Sequence, residues 1–81
     1  MERYEYRVCQ AQFSRVTYAN GQWIGETPST NPNAQEALES CPEIWRYLNQ
    51  AGEAGWKLVA VTTRTQDAGQ IVDVLYLRRR C

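Results

Sequence analysis

The most chemically suggestive position in this chain is Cys41. It lies in the stretch "SCPE", which reads as a helix start where amide donors and the helix macrodipole lower a thiol pKa. That environment would suit a thiol-based redox or nucleophilic module. Against it, Glu43 opposes a thiolate, no second Cys is near in sequence, and the chain contains no His to act as base. A second chemistry is offered by arginine, which supplies eight of the nine basic residues and favours bidentate contacts to phosphate and carboxylate. Arg3, Arg7, Arg78 and Arg80 are the candidate anion contacts, and they would make the protein a small regulator binding nucleic acid or another anionic ligand. Strand alternation splits the "RRRC" tail, with Arg78 and Arg80 on one side and Arg79 on the other, so three consecutive arginines do not make one basic face.

Other chemistries are excluded by type or spacing. The missing His removes the commonest general base, the usual partner of Ser and Cys nucleophiles, and the commonest transition-metal ligand. Cys9, Cys41 and Cys81 are far apart and odd in number, which suggests neither a disulfide framework nor a zinc knuckle. The carboxylates are scattered with no acid/base couple at helical or strand spacing, and Gly52 and Gly55 follow a helix rather than a strand, so they form no phosphate loop. The residues point to no enzyme, no cofactor and no metal.

The elements that must position these side chains fit one domain, residues 1–81, of α+β class. In "ERYEYRV", Tyr4, Tyr6 and Val8 alternate with Arg3, Glu5 and Arg7, the period-two pattern of a half-buried strand. Alternation weakens over Gln10–Ser14, which predicts a bulge or strand break there. "YANGQWIG" predicts a hairpin with a type I′ turn at Asn20-Gly21, pairing Ala19 with Gln22 and Tyr18 with Trp23. "ETPSTNPN" is a surface loop. Asn33 with Glu36 opens a short helical turn through Leu38, and Ser40 with Glu43 forms a capping box for an amphipathic helix ending near Glu53 or Ala54, with Gly55 in the left-handed C′ position. "WKLVAVTTRT" and "IVDVLYLRR" form a second hairpin through Asp67, Ala68 and Gly69. A right-handed crossover then gives the strand order first, last, third. The expected architecture is a small antiparallel sheet, three main strands plus a short hairpin return, with one amphipathic helix on one face.

The segments "YEYRV", "YLNQAGEAGWKLVAV" and "LYLRR" resemble a family of short bacterial proteins known as domain of unknown function 4177. Its members have an aromatic-Glu-Tyr-Lys-Val opening, a Leu-Asn-x-x-Gly-x-x-Gly-Trp-Glu-Leu-Val helix-to-strand junction and a closing Tyr-Leu-Lys-Arg. Arg7 and Lys57 depart from that pattern, the second by reversing a charge. The resemblance implies a fold and a bacterial or phage origin. It supplies no activity and no catalytic residues.

Charge is uneven although the formal net is zero: from Glu26 to Glu53 five acids face Arg46 alone, a net −4, and the remainder carries +4. The opening "MERYEY" lacks the basic end and apolar stretch of a signal peptide, and no run is long enough for a membrane span, so the expected location is cytoplasmic, with no membrane partner. The second hairpin is apolar on both faces, and one helix covers only one. Val59, Val61 and Val72 or Ile71, with Tyr18 and Trp23, are therefore the candidate interface of a non-enzymatic binding or assembly module, a homodimer through its uncovered sheet face.

Overall fold

The computed structural model describes residues 1–66 and 69–81. Its elements are β1 (Tyr4–Gln12), β2 (Arg15–Ala19), β3 (Gln22–Trp23), α1 (Ala34–Glu39), α2 (Ile44–Glu53), β4 (Lys57–Thr65) and β5 (Ile71–Arg80). The fold is α+β: one five-stranded antiparallel sheet in the order β3-β2-β1-β5-β4, with two helices. The expected order of first, last and third long strands is present as β1-β5-β4. Gly69 has the expected positive φ, while Asp67 and Ala68 of that turn lie outside the described residues.

The face carrying Cys9, Val16, Leu75 and Leu77 meets α2. These residues form the core with Ala51 and Trp56, and Ile44, Tyr47 and Leu48 pack against it. Helical spacing aligns Ile44, Leu48 and Ala51 on one stripe, and burying that stripe holds the helix to the sheet. The end of α2 is a Schellman motif: the Trp56 N–H donates to the Ala51 carbonyl and the Gly55 N–H to the Gly52 carbonyl, with Gly55 at φ +93°. The chain therefore reverses over two residues, and Trp56 drops onto the sheet.

The Asn-Gly turn takes the expected form, with Asn20 at φ +50° and Gly21 at φ +80°, and with Ala19 paired to Gln22 and Tyr18 to Trp23. The irregularity expected over Gln10–Ser14 resolves into two features. Thr17 is the extra residue of a bulge opposite Gln10 and Ala11, and Phe13-Ser14 is a tight turn joining β1 to β2. Phe13 and Ser14 both have positive φ, +52° and +63°, an arrangement that side chains beyond Cβ disfavour.

The entry to α2 differs from the capping box expected of Ser40 and Glu43. Ser40 is the C-cap of α1, its hydroxyl donating to the Ala37 carbonyl at 2.6 Å, and Glu43 is the N-cap of α2 without a side-chain cap bond. The cause is tertiary. Residues 40–43 run alongside β2 beyond the end of β3, where the Val16 N–H donates to the Pro42 carbonyl and the Ile44 N–H to the Ser14 carbonyl. Gly25 packs against this segment so closely that an added Cβ would lie 2.5 Å from Ser40 Oγ and 3.0 Å from Cys41 Sγ. The Asn33 cap of α1 is as expected, its Oδ1 accepting from the Glu36 N–H.

A second bulge, at Val59, changes which β4 side chains share a face. Simple alternation groups Val59, Val61 and Thr63 opposite Leu58 and Ala60. The register instead pairs Leu58 with Leu77, Val61 with Leu75 and Thr63 with Asp73 on the α2 side, and Ala60 with Tyr76 on the opposite side. Val59 is the residue without a partner in β5, so it absorbs the change of parity.

Two expected outcomes follow from the backbone. Gly55→Ala should lower unfolding stability by about 1 kcal/mol or more in urea titration, because φ is positive there and the new Cβ meets Arg79 Cδ at 3.4 Å. Conversely, the pair Phe13→Asn and Ser14→Gly should raise stability by about 1 kcal/mol, since both new residues accept left-handed φ and Phe13 is exposed.

Candidate functional site

The four arginines singled out by sequence do not converge. Arg7 points to the α2 side, where Nη1 donates to the Tyr47 hydroxyl at 2.9 Å and the guanidinium lies 4.4 Å from the centre of the Trp56 ring. Arg79, on the same side, lies 4.5 Å from that ring, forms an ion pair with Glu5 and donates to the Ala54 carbonyl at the end of α2. Arg3 precedes β1 and is exposed. Arg78 and Arg80 point to the opposite face, Arg78 lying 4.4 Å over the Tyr4 ring and Arg80 pairing with Glu2 at 3.2 Å.

The residue that joins Arg78 and Arg80 is Lys57, which sequence reading left out of the set. Lys57 is directly opposite Arg78 in the β4–β5 ladder, and Tyr4, Gly55, Lys57, Arg78 and Arg80 line a cleft of about 220 Å³. Spacing along the chain holds no sign of this, because the pairing depends on how β4 aligns with β5.

The thiols are in the interior. Cys9 and Cys41 are at most 1% exposed, and Cys81 is exposed. Burial pushes the Cys9 thiol up, against smaller opposing effects of the Tyr47 hydroxyl, which accepts its hydrogen bond at 3.5 Å, and of the Arg7 charge. Burial likewise raises the Cys41 thiol, and Arg15 only partly offsets it. The helix-start environment expected for Cys41 is absent: the residue precedes α2 by three positions and its Sγ donates to the Ala37 carbonyl of α1. Neither thiol is placed to react as a thiolate.

The apolar candidates lie at opposite edges of the sheet. Tyr18 and Trp23 meet edge to face, with centroids 5.4 Å apart and ring planes at 74°, and the Trp23 Nε1–H donates to the Thr27 carbonyl. They line a cleft with Phe13, Ala37 and Leu38, on the side bordered by α1. Val59 and Val61 are on β4, three strands from β2, roughly 14 Å away at the usual strand spacing. Val72 is buried at 1% exposure and contributes to no surface. The hairpin tip and the β4 valines therefore do not form one patch.

At the β4 edge every residue from Lys57 to Thr65 is exposed, including Leu58, Val59 and Val61, and Ile71 is exposed on the neighbouring strand. Among the described residues no three His, Cys, Asp or Glu side chains are grouped to hold a metal ion, and no helix is long and apolar enough to cross a membrane. Comparison with protein-family models, with curated proteins and with solved structures finds no match to this chain.

Thiol reagent at pH 7 should modify Cys81 first, with Cys9 and Cys41 reacting only as the chain opens, and mass spectrometry of the labelled peptides checks the order. Because burial raises both interior thiols, their contribution to stability is full below the free-thiol pKa of about 8.5. Above that value the unfolded chain ionises first, so the denaturation midpoint should fall as pH rises.

Proposed function

We propose that the protein is a non-enzymatic assembly module that pairs with a second copy of itself through the β4 edge. The observation that carries this reading is the character of that edge: nine consecutive exposed residues with Leu58, Val59 and Val61 between 43% and 50% exposed. A long edge strand with apolar side chains is a template for pairing, and isolated domains usually blunt it. The opposite edge is blunted, since β3 has only two residues and residues 40–43 cover the rest of β2.

The β4 sequence suits a symmetric partner. In an antiparallel pairing about Thr62, Thr62 faces its own copy, Val61 faces Thr63 and Ala60 faces Arg64. Each opposed pair then shares a face, and no like charges are directly opposed. The Leu58 and Val61 side chains of both copies fall on the α2 side, where the joined sheet buries them. This reading keeps the assembly function expected from sequence and moves its seat from an open face to an edge, without Tyr18, Trp23 or Val72.

The double variant Val59→Lys and Val61→Lys tests it. Both side chains are half exposed, so the variant should keep its fold by circular dichroism. Sedimentation should show a dimer for the parent chain and a monomer for the variant, because lysines at the joint repel across the twofold axis and oppose burial. A parent chain that is monomeric at several hundred micromolar, or a variant that keeps the parental mass, removes the proposal.

A further inference from the structure

The face opposite α2 differs from the rest of the molecule in charge. Alternation along β1, β4 and β5 sends Glu5 and Asp73, the two carboxylates of these strands, to the α2 side with Arg7 and Arg79. The opposite face receives Lys57, Arg64, Arg78 and Arg80, and none of the three strands places a carboxylate there. Glu2, ahead of β1, is the acid beside this group, accepting from the Tyr4 hydroxyl at 2.7 Å as well as pairing with Arg80. Lys57 and Arg78 are like charges directly opposed in a ladder, which is unfavourable without an anion between them.

The same face carries the aromatic rings of β1. Tyr4 and Tyr6 alternate onto it, Tyr6 is 60% exposed, and Val8 and Tyr76 continue the surface. The Arg78 guanidinium carbon lies 4.4 Å from the Tyr4 ring centre and Arg78 is paired with Tyr6 in the ladder, so both rings adjoin the Lys57–Arg80 cleft. Val72 and Val74, toward the other end of β5, are buried on this side, so the accessible part is the end carrying Tyr4, Tyr6, Lys57, Arg78 and Arg80. We propose that this exposed end of the face binds single-stranded nucleic acid, its phosphates held by Lys57, Arg78 and Arg80 and a base stacked on Tyr6. Planar side chains interleaved with cations on a sheet suit unstacked bases and a flexible backbone. The face of three strands is roughly 10 Å across, enough for two or three bases and too flat to enter a duplex groove.

Fluorescence anisotropy with a labelled oligothymidylate of about 12 nucleotides tests the proposal in the full chain. The parent should bind the single strand in preference to a duplex of equal length, with affinity falling as salt rises. Lys57→Ala with Arg80→Ala should reduce the slope of log affinity against log salt by about 1.4, two phosphate contacts at 0.7 each. Tyr6→Leu should weaken binding about 5- to 150-fold at unchanged slope, the signature of lost stacking rather than lost charge. All three side chains are exposed, so the variants should melt with the parent. Absence of saturable binding at low salt overturns the proposal. So does a Tyr6→Leu variant of parental affinity together with equal competition by inorganic polyphosphate, which would reduce the site to an anion patch. Binding that persists in the Val59→Lys and Val61→Lys monomer separates this site from the β4 pairing.

Discussion

The structure hinges on the meeting of Trp56 with two arginines at the end of α2. Trp56 is 8% exposed, and the guanidinia of Arg7 from β1 and Arg79 from β5 both lie within 4.5 Å of its ring centre. Each contact combines burial of the ring with attraction between a cation and the ring quadrupole. Arg79 also reaches the Ala54 carbonyl, a cation at the negative end of the helix, and Arg7 reaches Tyr47 within α2. One side-chain cluster thus ties the helix terminus, the start of β4 and the two central strands together. The buried stripe of Ile44, Leu48 and Ala51 holds the helix to the sheet, and this cluster anchors its C-terminal end there.

That cluster also sorts the basic residues. Arginines on the α2 side are engaged by Trp56, Tyr47, Glu5 and the helix end. Among the described residues the cations of β4 and β5 on the other side have one ion-pair partner, Glu2, beside the exposed rings of β1. A chain with zero formal charge therefore presents a basic face, because alternation along β1, β4 and β5 separates their two acids from four of their six bases. In a symmetric β4 pairing the twofold axis runs perpendicular to the sheet, so the basic faces of both copies would lie on one side.

The second organising feature is the passage of the chain around the β2 edge. Residues 40–43 satisfy backbone groups of β2 that β3 is too short to reach, and so carry the chain from α1 to α2. This closes one edge of the sheet and places Cys41 in the interior, where its thiol is a small packed group. Gly25 is required by the same crowding, for which sequence offers no signal, since its neighbours there are 15 and 16 residues distant along the chain.

Local chemistry was legible in the sequence wherever a few adjacent residues decide the outcome. Positive φ at Asn20 and Gly21, the Tyr18–Trp23 pairing, the Asn33 cap and Gly55 after α2 each follow from short-range sterics and hydrogen bonding, and the strand order follows from the handedness of the crossover. What only the tertiary structure decided were the registers and the coverage of faces. A single extra residue at Val59 reversed the parity of β4 and brought Lys57 opposite Arg78, and pairing with β2 turned Ser40 from a helix start into a helix end. A bulge stabilises or destabilises only through its partner strand, and an edge is exposed only by the order of all five strands. Both are properties of residues far apart in the chain, which composition and spacing cannot carry.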